Sequence, residues 1–183
     1  MSDFVHLHVH SHYSLLNGLT KAKVLAKVAK KRGFSALALT DYGSMYGAIE
    51  FYQACQEQEI KPIIGFEAFV APGSRHDKDG EAGGAFNLIL LAENYEGYRN
   101  LMKLSSLGHL EGFANNKPRL DKELLRQYHG GIIALSGPIA GEIPTLFKNG
   151  RDEDAKRVAL EYGEIFGPDY FYWATIFYRT KKT

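Results

Sequence analysis

Short apolar runs alternate with longer amphipathic ones along this chain, and that alternation limits its fold more than any other feature. Residues 4–9, 36–40 and 62–70 read as strands, with helices over 19–32 and 46–58 between them. Leu19, Val24, Leu25, Val28 and Ala29 are expected to share the buried face of the first helix, which Gly33 ends. The order β-α-β-α-β predicts a mostly parallel sheet joined by right-handed crossovers. Gly65 lies inside the third run, where the strand is expected to bend or to take a new neighbour. Residues 72–84, rich in Gly, Asp and Lys, predict an exposed loop placed to cover a site. Beyond it the pattern predicts strands over 86–92 and 131–135 and helices over 95–107, 122–127, 142–148 and 152–166. A last apolar run occupies 170–177.

These elements predict one α/β domain, because no repeat, low-complexity tract or hinge-like linker divides them. The chain has 183 residues, whereas a complete eight-stranded barrel usually needs about 250, so an open sheet or part of a barrel is expected. Residues 178–183 are polar and basic and follow the last apolar run with no closing helix. They predict that the native polypeptide continues, or that this end is divergent. A hydrophobic fraction of 45% excludes a disordered chain, and a net charge of +1 excludes a global electrostatic footprint for nucleic acid. Contact with DNA would have to be local or indirect. Cys55 is the sole cysteine, which rules out an internal disulfide framework, and no apolar run is long enough to cross a bilayer. The expected compartment is the cytoplasm.

Chemistry concentrates in the first run, where His6, His8, His10 and His12 occupy every second position. In a strand these imidazoles share one face, with Val5, Leu7 and Val9 on the other. Imidazoles two residues apart on one strand can chelate a single ion, although solvated histidines on a half-exposed strand would produce the same pattern. Asp41 follows the second strand and Glu67 lies within the third. Parallel folds gather functional groups at the C-terminal edge of their strands, so His8, His10, Asp41 and Glu67 are expected at one rim as a mixed nitrogen and oxygen site. Bound ions there would acidify a water and polarise a phosphoryl oxygen. Taken alone, Asp41 serves equally well as a helix cap. Glu67 says more, because an unpaired carboxylate is costly to bury. His76, His109 and His129 are expected to be solvated, and the glycines form no phosphate-cradling pattern.

Several motifs in order carry a family resemblance. His8-Val9-His10-Ser11, Leu15-Leu16-Asn17-Gly18, Ala38-Leu39-Thr40-Asp41-Tyr42-Gly43 and Lys61-Pro62-Ile63-Ile64-Gly65-Phe66-Glu67-Ala68 resemble successive motifs of the polymerase and histidinol phosphatase (PHP) domain. Tyr46-Gly47-Ala48-Ile49-Glu50-Phe51-Tyr52, Leu90-Leu91-Ala92-Glu93-Asn94-Tyr95 and Ile133-Ala134-Leu135-Ser136-Gly137 narrow the likeness to the amino-terminal PHP domain of bacterial DNA polymerase III alpha subunits.

The resemblance implies a distorted seven-stranded (β/α) barrel, here incomplete at its C-terminal end, with a trinuclear metal cluster in active members. It also implies removal of phosphate or of a 3′-terminal nucleotide by those members, in effect a 3′-5′ exonuclease. His8, His10, Asp41 and Glu67 match metal-ligand positions of the family. Asn17 stands where the family usually has Asp, Tyr42 and Asn87 where it has His, and Pro138 where it often has Cys. Amide and phenol groups are poor substitutes for imidazole and carboxylate. The resemblance therefore implies an eroded site holding at most one weakly bound divalent ion (zinc, manganese or iron). The expected role is structural and docking within a replicative nucleotidyltransferase. The implied partners are the rest of the alpha subunit, the proofreading exonuclease subunit, and DNA through the complete polymerase, with no membrane involved.

Overall fold

The computed structural model describes residues 4–79 and 84–174. Six helices, α1 (Ala22–Lys31), α2 (Ala48–Glu57), α3 (Tyr95–Leu110), α4 (Lys122–Tyr128), α5 (Glu142–Lys148) and α6 (Asp152–Phe166), accompany seven strands. The strands are β1 (Ala36–Leu39), β2 (Lys61–Val70), β3 (Phe86–Ala92), β4 (Phe113–Ala114), β5 (Lys117–Leu120), β6 (Ile132–Leu135) and β7 (Phe171–Tyr172). The sheet order is β4-β5-β2-β3-β6-β7, with β1 also paired to β2. β1, β5, β6 and β7 share one direction with β2, and only β3 and β4 run against it. β3 runs antiparallel to β2, and no helix is assigned among the described residues 71–79 and 84–85 between them. Among the described residues the sheet is not closed, so the expected barrel resolves to a mixed α/β fold. No described helix is long and apolar enough to cross a membrane.

The two faces of β2 divide the molecule. Phe66, Ala68 and Val70 pack with Leu88, Leu90 and residues of α3 to α6, while Leu37 and Leu39 of β1 pack with α1 and α2. Helices therefore cover a single face. The opposite face carries a small cluster of Ala38, Ile89, Leu91 and Leu135, and it is this face that bears Glu67. Gly65 marks the change of neighbours anticipated for β2. Up to Ile64 the strand pairs with β1, and from Gly65 it pairs with β3. A Cβ at Gly65 would sit 2.3 Å from the Leu90 carbonyl oxygen.

Several expectations need correction. Residues 4–9 form no regular strand: the segment runs beside β1 through a single bridge, His6 to Leu37, and the Val9 N–H donates to the Thr40 hydroxyl at 2.9 Å. Helix α1 starts later than expected and buries Ala22, Ala26 and Ala29, with Leu19, Val24 and Val28 exposed. The small alanines let α1 lie close against α2, so the bulky side chains are left outside. Gly33 does end this helix at φ +77°, and the Phe34 N–H returns to the Ala29 carbonyl in a Schellman closure. Residues 113–120, assigned to no element, form the β4–β5 hairpin. Asn115 and Asn116 both take positive φ there, as a tight two-residue turn demands. His109 is half-buried rather than solvated, its Nδ1 lying 2.9 Å from the Ser105 carbonyl, and His76 and His129 are exposed. The run at 170–177 contributes only β7, and 175–177 lies outside the described residues.

The segment after β2 is less free than its composition suggests. Arg119 on β5 is wholly buried and donates to the carbonyls of Gly112, Arg75 and Asp77 at 3.0, 3.0 and 2.9 Å. Arg75 in turn bridges Glu111 at 2.7 Å and Asp121 at 2.9 Å, and Asp121 caps α4 by accepting the Leu124 N–H. Removing a buried guanidinium leaves its acceptors unpaired, so Arg119→Met is expected to destabilise the fold by about 3–5 kcal/mol. Urea unfolding measures the loss, and proteolysis within 72–79 should quicken in the same variant. Unchanged stability and unchanged cleavage would show that the latch is dispensable.

Candidate metal centre

Glu67 is the centre around which the site is built. It lies in the middle of β2, fully buried, on the face away from the helices. His8 Nε2 and His10 Nε2 approach its Oε2 at 2.6 and 2.7 Å, and the Asn87 amide donates to Oε1. These contacts come from two segments. His8 and His10 end the extended segment beside β1, and Asn87 is the second residue of β3, whose reversal brings its first residues to the rim where the parallel strands end. Phe69 opposes Asn87 across β2 and β3, which sets the amide diagonally from Glu67 on the same face. Burial opposes ionisation of Glu67, but the hydrogen bonds from His10, His8 and Asn87 outweigh it and hold the carboxyl down to about 2.

One donor atom each from His8, His10 and Glu67 lies within 4.8 Å of the others. Two imidazoles and a carboxylate at this spacing suit the first coordination shell of one divalent ion. The donor set fits a single ion, because the neighbouring positions carry weak ligands. Asn87 is already bonded to Glu67. The Tyr42 ring fills the space between His10 and Phe69, at centroid distances of 4.3 and 5.6 Å. Asn17 is exposed and donates to the Leu15 carbonyl. Pro138 lies in the turn after β6, and the Ala140 carbonyl of that turn accepts the Asn87 N–H at 3.0 Å.

Asp41 is not within that triad. Its backbone is adjacent, since the Asp41 carbonyl accepts the Glu67 N–H at 3.0 Å, yet its carboxylate accepts the Ser11 N–H, the Ser11 hydroxyl and the Ser14 hydroxyl at 2.6, 2.8 and 2.6 Å. Asp41 thereby ties down the turn that follows the site histidines. The serines that perform this were missed in the sequence, although Ser11 and Ser14 stand three apart beside the histidines. The expectation of four imidazoles on one face also fails at its ends. The His6 ring packs edge-on against Phe4 and Phe34, and His12 lies against Tyr13. Only a regular strand would have kept all four aligned.

The depressed Glu67 pKa fixes the sign of a pH effect. Its stabilising contribution is complete above the ordinary value of 4.5 and is lost as the pH falls toward 2. In chelator, the chain should lose about 3 kcal/mol more than Glu67→Gln between pH 5 and pH 2. Parallel stability curves for the two proteins would remove Glu67 as the charged centre.

Comparison with known proteins follows the same residues. The PHP domain family matches residues 6–173. DNA polymerase III subunit alpha of Deinococcus radiodurans is 49% identical over 178 residues, covering 92% of this chain and 13% of its own length. The same subunit of Treponema pallidum is 48% identical, over 93% of this chain and 15% of its own, and that of Thermus aquaticus is 44% identical, over 92% and 14%. The chain spans about one seventh of the length of these relatives. With the family match running from the first site histidines to the last described strand, this chain belongs to the PHP domain family.

Proposed function

We propose that the chain acts as the PHP module of a replicative DNA polymerase alpha subunit, as a structural and docking element with a reduced metal centre. The observation that carries this reading is the occupancy of the Glu67 neighbourhood by weak ligands: Asn87 bonds the carboxylate and Tyr42 fills the flank of His10. Neither group replaces an imidazole in holding further ions. His8, His10 and Glu67 would hold one divalent zinc, manganese or iron ion, with Asp41 as a further metal-ligand position of the proposal. Such an ion would supply Lewis-acid polarisation of a phosphoryl oxygen. The chain's own residues do the rest: Asn87 orients the Glu67 carboxylate, and Ser11 and Ser14 hold Asp41 and with it the turn after His10. The single domain would dock against the remainder of the alpha subunit and the proofreading exonuclease subunit, in the cytoplasm, and would meet DNA through the complete polymerase.

The triad itself favours a second reading, a metal-dependent phosphoesterase or 3′-5′ exonuclease, because mixed imidazole and carboxylate donors are what metal-assisted hydrolysis uses. The two readings separate in one assay. With manganese or zinc supplied, the chain should bind no more than one ion, lose it in His8→Ala, and release no appreciable phosphate or nucleotide. Metal content by mass spectrometry and product release from a 3′-labelled oligonucleotide provide the two measurements. Robust turnover that disappears in His8→Ala would replace the docking role with the enzymatic one.

A further inference from the structure

Near-neutral overall charge hides a strong segregation. From Phe4 to Thr40 there is no acidic residue, and six of the twelve residues from 21 to 32 are Lys or Arg. The remainder of the chain is net acidic. These cations lie on and around α1, whose alanine face is turned inward, so Lys21, Lys23, Lys27, Lys30, Lys31 and Arg32 are all exposed. Lys30 reaches Glu59 at 3.3 Å, and among the described residues no carboxylate pairs with the other five. Elsewhere Arg75, Lys122, Arg126, Arg151 and Arg157 each have an acidic partner, and other lysines such as Lys103 and Lys156 are scattered over several helices rather than gathered on one.

The placement also works against the helix that carries it. Lys21 occupies the N-cap position without a capping side chain, Lys23 follows in the first turn, and no acidic residue stands there to answer the positive end of the helix dipole. Lys23, Lys27 and Lys31 are spaced four apart, so like charges repel along one stripe. Helix α6 shows the ordinary solution, opening with Asp152, Glu153 and Asp154. Lys30 and Lys31 suit the C-terminal end of the dipole, but Lys21, Lys23 and Lys27 at and after the N-terminus break the local electrostatic rule, which points to a ligand outside the fold.

We propose that the outward face of α1 is a docking surface for a phosphodiester backbone, a single strand of DNA held by Lys23, Lys27 and Lys31. Four residues of helix advance about 6 Å, so the stripe presents one cation after another at a regular interval to the successive phosphates of one strand. Its position is suited to the metal centre. The Thr20 carbonyl accepts the His12 N–H at 3.0 Å, which places the start of α1 beside the turn that follows His8 and His10. A strand tracking along the lysines would lead toward that rim. An anionic membrane fits less well, because interfacial helices insert their apolar face and here that face is buried against α2.

The proposal rests on the polymerase-module reading, and its test does not depend on metal. Fluorescence anisotropy of a fluorescein-labelled single-stranded oligonucleotide is measured with the 183-residue chain in chelator, across a salt series. Lys23→Glu/Lys27→Glu should weaken binding about tenfold or more at low salt and reduce the slope of log affinity against log salt by about 1.4. Helical content and melting temperature should be preserved, because the variant relieves repulsion and adds an acidic group in the first turn. The charge-matched control Lys103→Glu/Lys156→Glu, on α3 and α6, should keep the parental affinity and slope. Equal losses in both variants would reduce the effect to net charge and overturn the proposal. So would unaltered binding in the α1 variant, or tighter capture of the chain by phosphatidylglycerol vesicles than by the oligonucleotide. Failure on any of these counts leaves metal binding at His8 untouched, so the two readings fall separately.

Discussion

A buried carboxylate governs this fold. Glu67 has no access to water, and an ion in that position is tolerated only if its oxygens are fully engaged. Engagement draws in the extended segment through His8 and His10 and the start of β3 through Asn87. Tyr42, bridged to Glu67 along the edge of β2, closes the fourth side. Three stretches far apart in sequence are thus held to one point of one strand. The ten-residue length of β2 makes this possible, because its first half is committed to β1 and its second to β3 and β5, with Glu67 where one edge partner gives way to the next.

The same strand explains why the sheet is not uniformly parallel. A direct return from β2 to β3 reverses β3, and that reversal places its second residue, Asn87, rather than its C-terminal end, at the functional rim. The return segment would be free to wander without the Arg119 and Arg75 latch. A guanidinium can answer several carbonyls at once through its fixed array of donors, which a lysine cannot do. Burial and latch therefore serve one geometry: the first holds the rim together and the second fixes the chain that enters it.

Much of this was legible in the sequence, and the failures have physical causes. Helices α5 and α6 have the limits that periodicity predicted, and the acidic residues of their first turns agree with that pattern. β1 was legible as an uninterrupted apolar run, and Glu67 as a carboxylate set among apolar residues. The first segment misled because alternation of side chains is evidence of a strand only when neighbours supply a ladder, and residues 4–9 receive one bridge. Of the face expected for α1, Ala29 is buried and Leu25 packs against the α1–α2 cluster, whereas Leu19, Val24 and Val28 are exposed, because close helix contact selects alanine over bulk. The β4–β5 hairpin carried a signal in the Asn115-Asn116 pair, two residues tolerant of positive φ between apolar neighbours. The Arg119 latch carried none, since a buried arginine cannot be told from an exposed one without its acceptors.

Electrostatics supply the last step. The net charge of +1 argues against a general affinity for polyanions, but net charge is an average over surfaces that act separately. Carboxylates in this chain lie mainly after Thr40, where they pair with arginines and lysines of the α3 to α6 layer. The segment before Asp41 keeps most of its cations unanswered, Lys30 alone reaching Glu59 among the described residues, and gathers His8 and His10. A field of one sign at the entrance and an anion-stabilised cluster at the rim are separate structural facts with separate origins, one in helix α1 and one in strand β2. Their adjacency through the His12 to Thr20 hydrogen bond makes the first 40 residues, rather than the chain as a whole, the unit whose charge bears on what it binds.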